Sequence, residues 1–126
     1  MKTIGLLGGL TWESSAEYYR LINEMVSLRL GGQHSAEIRM SSLDFHPVSR
    51  LMVEKNWETL ADILTKRALE LQKSGADCLL ICCNTLHYVA DYVAERVNIE
   101  LINVIDVIGG DIRKRGMKRV GLLGSA

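Results

Sequence analysis

Leu79-Leu80-Ile81-Cys82-Cys83-Asn84-Thr85-Leu86-His87 decides the fold, because an apolar run passes there directly into residues that open a helix. A short run of this kind reads as a strand buried on both faces, as in parallel sheets. The strand spans Cys78 to Ile81, follows the turn Ser74-Gly75-Ala76-Asp77, and hands over to a helix from Leu86 to Arg96. Such a junction sets Cys83 beside unpaired backbone N–H groups, which favour a thiolate and also hold carboxylates.

The same strand-then-helix grammar repeats on both sides. Residues 3–8 form a short apolar strand ending at Gly8-Gly9, and Ser14 or Ser15 caps a helix whose Tyr18, Leu21, Ile22, Met25, Leu28 and Leu30 recur at helical spacing up to Gly31-Gly32. Ala36 to Leu43 reads as a more polar strand near an edge, broken into a loop by Asp44-Phe45-His46-Pro47. A long helix follows from Trp57 to Lys73, with Leu60, Ile63, Leu64, Ala68 and Leu71 on its inner stripe. Beyond the quoted stretch, Leu101 to Val104 gives a fourth strand, Asp106 to Arg115 a helix ended by Gly116, and Arg119 to Leu123 a fifth strand.

Strands alternating with helices imply an α/β three-layer sandwich, a four-stranded parallel sheet flanked by helices, with right-handed crossovers. The ligand edge of such a sheet lies at the carboxyl ends of its strands, where the loops 8–13, 44–53 and 82–86 meet. The opening Ile4-Gly5-Leu6-Leu7-Gly8-Gly9 also returns as Val120-Gly121-Leu122-Leu123-Gly124-Ser125. An echo at that distance implies a duplicated domain, with residues 1–116 as one copy and 117–126 as the first strand of a second, truncated one.

Composition narrows the function classes. A chain of 126 residues, 48% hydrophobic and 24% charged, has the length and balance of one globular domain with a real core. Fifteen basic and fifteen acidic residues cancel, so no global field favours nucleic acid or an anionic membrane. The local run Arg113, Lys114, Arg115, Lys118 and Arg119 reads as a solvated helix end. No stretch approaches the ~18 apolar residues of a membrane span or forms a signal peptide, so a cytoplasmic protein is expected. Cys78, Cys82 and Cys83 crowd together and suit a reducing compartment, and no second ligand pair at suitable spacing suggests a metal site.

Strand alternation separates the cysteines. Cys78 and Cys82 share one face and read as small buried apolar residues, whereas Cys83 at the strand's end faces either the cleft or the core. A free thiol has a pKa of about 8.5, and a helix N-terminus, capped here by Asn84 or Thr85, lowers it. His87 falls four residues on and is placed to bond the thiol, the substrate, or simply a neighbouring loop.

Other groups converge on that edge. Gly8-Gly9-Leu10-Thr11-Trp12-Glu13 supplies backbone donors and a hydroxyl, while its glycine spacing departs from G-x-G-x-x-G and argues against a dinucleotide. Arg50 is a candidate for bidentate pairing with a carboxylate, or else a solvated loop charge. Trp12 and Trp57 read as packing residues.

Gly8-Gly9-Leu10-Thr11-Trp12-Glu13-Ser14-Ser15 together with Cys83-Asn84-Thr85-Leu86-His87 resembles the aspartate/glutamate racemase family, across essentially the whole sequence as that family's first domain. The resemblance implies two similar α/β domains facing each other across a cleft, each giving one cysteine to a racemisation that uses no cofactor, usually in homodimers. One thiolate removes the α-proton and the opposite thiol reprotonates the other face, a contribution worth roughly 10²–10⁴-fold from positioned groups. Cys83 is then the first-domain acid/base, Asn84 and Thr85 with Leu10 and Thr11 hold the substrate carboxylate, Arg50 reads a side-chain carboxylate, and His87 gives support. The implied partner is a small dicarboxylic amino acid, with no nucleic acid and no membrane. The family's second cysteine lies in a Gly-Cys-Thr-Glu segment that this sequence does not contain. Relatives of similar chemistry are hydantoin racemases, maleate isomerases and decarboxylases of malonate derivatives, and a reading of another class is a silent module that binds a small acid or a partner.

Overall fold

The computed structural model describes residues 1–124, so Ser125 of the echoed segment lies outside the described residues. Four parallel strands form one sheet in the order β2-β1-β3-β4, comprising β1 (Ile4–Gly8), β2 (Ile38–Ser42), β3 (Cys78–Ile81) and β4 (Glu100–Leu101). β1 lies between β2 and β3, with Ile4 opposite both Ile38 and Cys78. The apolar runs therefore occupy the centre and the polar strand the edge, as burial on both faces demands.

Alternation along the strands divides the core. Leu7, Leu79 and Ile81 pack with Leu60, Leu64 and Ala68 of α3 (Trp57–Lys73), and Leu86 and Val93 close the same cluster. On the opposite face Leu6, Cys78 and Cys82 are buried, and α1 (Trp12–Leu30) lies against β1. The three layers expected from the sequence are thus present.

Three local readings are corrected. Residues 45–53, expected as loop, form helix α2 (Phe45–Val53). Asp44 caps it by accepting from the His46 N–H, and Pro47 falls within the first turn, where its missing N–H has no intrahelical partner to lose. Val48 buries against the α3 side, so the proline begins a helix where it had been read as a breaker.

The helix expected over residues 86–96 is divided into a 3₁₀ helix (Thr85–Val89) and a single-turn α4 (Ala90–Ala94). Leu86 and Val89 stand three residues apart and are both buried, a spacing that a 3₁₀ turn brings onto one side. Asn84 makes no side-chain capping bond, against expectation, although its carbonyl accepts from the His87 N–H at 3.1 Å.

The last elements also shift. β4 is shorter and earlier than expected, and α5 (Val104–Lys114) begins sooner because the Asn103 side chain accepts from the Ile105 N–H at 2.9 Å. Residues 119–123 form no strand, because no neighbouring strand offers a ladder to them among the described residues; Leu122 and Leu123 are instead almost fully exposed. No described helix is long and apolar enough to cross a membrane.

Candidate functional site

Glycine builds the first loop. Gly9 follows β1 with φ +81°, and a Cβ there would stand 2.2 Å from the Leu43 carbonyl oxygen, so only glycine lets the chain turn against the end of β2. A Cβ on Gly8 would stand 2.7 Å from the Ser15 hydroxyl, so its absence lets α1 approach the strand.

Two serines then tie the loop down. Ser15 Oγ accepts from the buried Gly9 N–H at 2.9 Å, and Ser14 Oγ donates toward the Cys82 carbonyl at 2.6 Å and the Thr11 carbonyl at 3.0 Å. The β1 loop is thereby fixed to the end of β3. Sequence reading assigned Ser14 or Ser15 to capping, whereas Thr11 is the cap residue, with α1 starting at Trp12. Nothing in the spacing distinguishes a capping serine from one that reaches a neighbouring strand.

The expected site residues occupy different environments. Leu10 is buried in the α3-side core and Thr11 is exposed beside it. Asn84 and Thr85 are exposed and line an open cleft of about 610 Å³ together with Ile105 and Ile108 of α5 and residues 122–124. That size suits a small ligand. Trp12, read as a packing residue, is 67% exposed at the start of α1. Trp57 is part-buried and stacks at a tilt on Tyr88, with ring centroids 4.6 Å apart.

Arg50 stands on α2, exposed, 3.5 Å from Glu54 one turn on. The hollow beside it is lined by Pro47, Leu51 and Glu54 and is separate from the cleft at Asn84. The structure therefore brings Asn84 and Thr85 together and leaves Arg50 at a different surface.

The cysteines separate as strand alternation requires. Cys78 and Cys82 are buried, and Cys83 is part-exposed, packed against the rim of the α3-side core. Burial pushes the Cys82 thiol up to about 12, against a smaller opposing effect of its hydrogen bond with Ser15. That thiol stays protonated and inert at neutral pH. Tyr18 on α1 is the neighbour that sequence reading missed. Burial raises its hydroxyl, with further contributions from Cys82 and Cys83, so it remains a neutral group beside both thiols. Its place in the apolar stripe of α1 disguised it as packing.

His87 bonds backbone, which is nearest to the neighbouring-loop reading, and not the thiol. Its Nδ1 lies 2.9 Å from the Cys83 carbonyl oxygen, and its Nε2 receives the Val104 N–H at 3.4 Å. It is occupied by backbone on both sides and touches the Cys83 peptide rather than the thiol. The dipole behind Cys83 is also that of a five-residue 3₁₀ helix, a smaller field than the longer helix expected there would supply.

A part-exposed thiol at the carboxyl end of a central parallel strand, next to a cleft lined by an amide and a hydroxyl, is an arrangement that comparison can place. The family model for Asp/Glu/hydantoin racemases matches residues 7–126. The chain belongs to this racemase family. Among solved structures it is similar to one assigned as an Asp/Glu racemase from Yersinia pestis, at 40% identity and TM-score 0.90, covering 92% of this chain and 50% of that one. It is also similar to an aspartate racemase homologue from Pyrococcus horikoshii, at 31% identity and TM-score 0.81, again over 92% of this chain and 50% of the other. The aspartate racemase of Picrophilus torridus shares the fold, with TM-score 0.74 at 19% identity over 92% of this chain and 49% of that one. The chain thus spans half the length of these racemase-family structures, and the α/β unit described above corresponds to a racemase half-domain.

Proposed function

We propose that the chain is the first, cysteine-bearing half of an amino-acid racemase acting on aspartate or glutamate without a cofactor. The observation that carries this reading is that Cys83 alone of the three cysteines is part-exposed, at the carboxyl end of β3 beside Asn84 and Thr85, in a chain of the racemase family. In the proposed reaction the Cys83 thiolate takes the α-proton and becomes a thiol. The electron pair left on carbon delocalises into the α-carboxylate, held by Asn84 and Thr85 with Leu10 and Thr11 of the first loop. A proton from a second acid on the opposite face completes inversion.

Cys78 and Cys82 are buried, so the second acid comes from residues outside these 126 or from another copy, and a two-copy assembly belongs to the same proposal. Arg50 pairs with Glu54 at a hollow separate from the Asn84 cleft and takes no part in this scheme. The alternative is a unit that binds the small acid without inverting it.

The test is incubation with each enantiomer of aspartate and glutamate in deuterium oxide, reading α-hydrogen exchange by NMR and inversion by chiral chromatography. The racemase reading expects exchange that falls at least about 100-fold in Cys83→Ser. Exchange without inversion places the proton transfer at Cys83 and the second acid elsewhere. Absence of exchange, combined with alkylation of Cys83 that dicarboxylates do not slow, rejects the proposal.

A further inference from the structure

Two hydrogen bonds made by one imidazole define its protonation. The Val104 N–H can only donate, so His87 Nε2 presents its lone pair, and the Cys83 carbonyl can only accept, so His87 Nδ1 carries the proton. His87 is thereby a neutral bridge between the peptide of the part-exposed thiol and the first residue of α5.

The bridge joins parts with little else in common. None of the residues of α5 is buried, so apolar packing does little to hold this helix in place. Yet Ile105 and Ile108 of α5 form one wall of the cleft whose other wall carries Asn84 and Thr85. Its attachment at the top runs through the Ile102 N–H, which bonds the Leu79 carbonyl of β3 at 2.9 Å, and through His87. Few polar ties therefore set both the width of the cleft and the direction of the Cys83 peptide.

We propose that His87 is a positioning residue for Cys83: its Nδ1–H holds the Cys83 carbonyl while its Nε2 accepts from Val104, locking the loop that carries the thiol to the wall formed by α5. The proposal rests on the reading of Cys83 as the working thiol. It extends that reading by assigning the imidazole a backbone-holding role and no proton transfer of its own.

Two measurements on the full chain test it. The ¹⁵N spectrum of the imidazole should show the neutral form protonated at Nδ1; a proton on Nε2 overturns the proposal without any substitution. In alkylation mapped by mass spectrometry, His87→Ala should raise the rate at Cys83 about fivefold, the ratio corresponding to one lost hydrogen bond, while Cys78 and Cys82 stay unreactive. His87→Asn, which returns a donor near the place of Nδ1, should bring the rate most of the way back. A rate at Cys83 within about twofold of wild type in His87→Ala, failure of His87→Asn to restore it, or an equal rise at all three cysteines overturns the proposal, the last because general loosening exposes every thiol together. Protection of the wild-type thiol by aspartate is scored separately. Its absence counts against the racemase reading and leaves the bridge to be judged by the rates and the spectrum.

Discussion

Cys82 and Cys83 are joined by one peptide bond and belong to different regions of the molecule. Cys82 faces the α1 side, fully buried with Leu6, and its thiol is held protonated by loss of water. Cys83 is part-exposed and packs against the rim of the α3-side core. The two sides differ as a whole. α3 buries Leu60, Leu64, Ala68 and Leu71 against the sheet, whereas α1 buries only Ser15 and leaves Leu21, Met25 and Leu28 exposed. One face of the sheet is finished by this chain and the other is only partly covered. The part-exposed thiol sits where the finished side ends, which gives it both support and access.

The largest test of that contrast is deletion in the finished side. Leu79→Ala should cost about 3 kcal/mol in urea unfolding, since it empties a fully buried site, whereas Leu28→Ala, at a residue 88% exposed on α1, should change stability by less than about 0.5 kcal/mol. Equal costs would break the comparison.

Ser15→Ala comes next, at about 2 kcal/mol, because it strips the partner from a buried Gly9 N–H. It should also loosen the first loop, read as faster amide exchange at Gly9. An unchanged exchange rate would mean that the loop is held by other bonds.

The alkaline limb of stability sharpens the difference between the two cysteines. The folded Cys82 thiol is raised from 9.0 to about 12, so its contribution is complete below pH 9 and is lost as pH rises through that window toward about 12. With allowance for partial solvent screening, the loss should be about 1 kcal/mol at pH 10, and Cys82→Ala should flatten this part of the pH profile. A profile that Cys82→Ala leaves unaltered would remove burial as the cause.

Arg50→Ala is the smallest effect, within about 0.5 kcal/mol, because an exposed pair with Glu54 contributes little to folding. Thermal unfolding checks it, and a larger loss would show that Arg50 supports α2 rather than standing free for a ligand.

Much of this was legible beforehand because it depends on local pattern. The central strands and the long helix Trp57–Lys73 follow from apolar runs and spacing, and the burial of Cys78 and Cys82 follows from alternation. Helix α2 was missed because Pro47 in a first turn and Pro47 in a loop look alike until the Asp44 cap is seen. The echoed residues 119–123 carry the sequence of a strand and form none here, since strand propensity without a ladder leaves backbone groups to water.

The amino-acid order by itself determined the alternation of strand and helix, the parallel sheet and the placing of Cys83 at a strand's end, because each is written in neighbours a few positions apart. Only the tertiary structure decided that Ser14 ties the first loop to Cys82 just past β3 while Ser15 holds Gly9, that His87 bridges Cys83 to Val104, and that Arg50 lines a hollow separate from that of Asn84 and Thr85. Those relations join residues on different elements, and they depend on how closely helices and loops approach the sheet, a distance that periodicity does not encode.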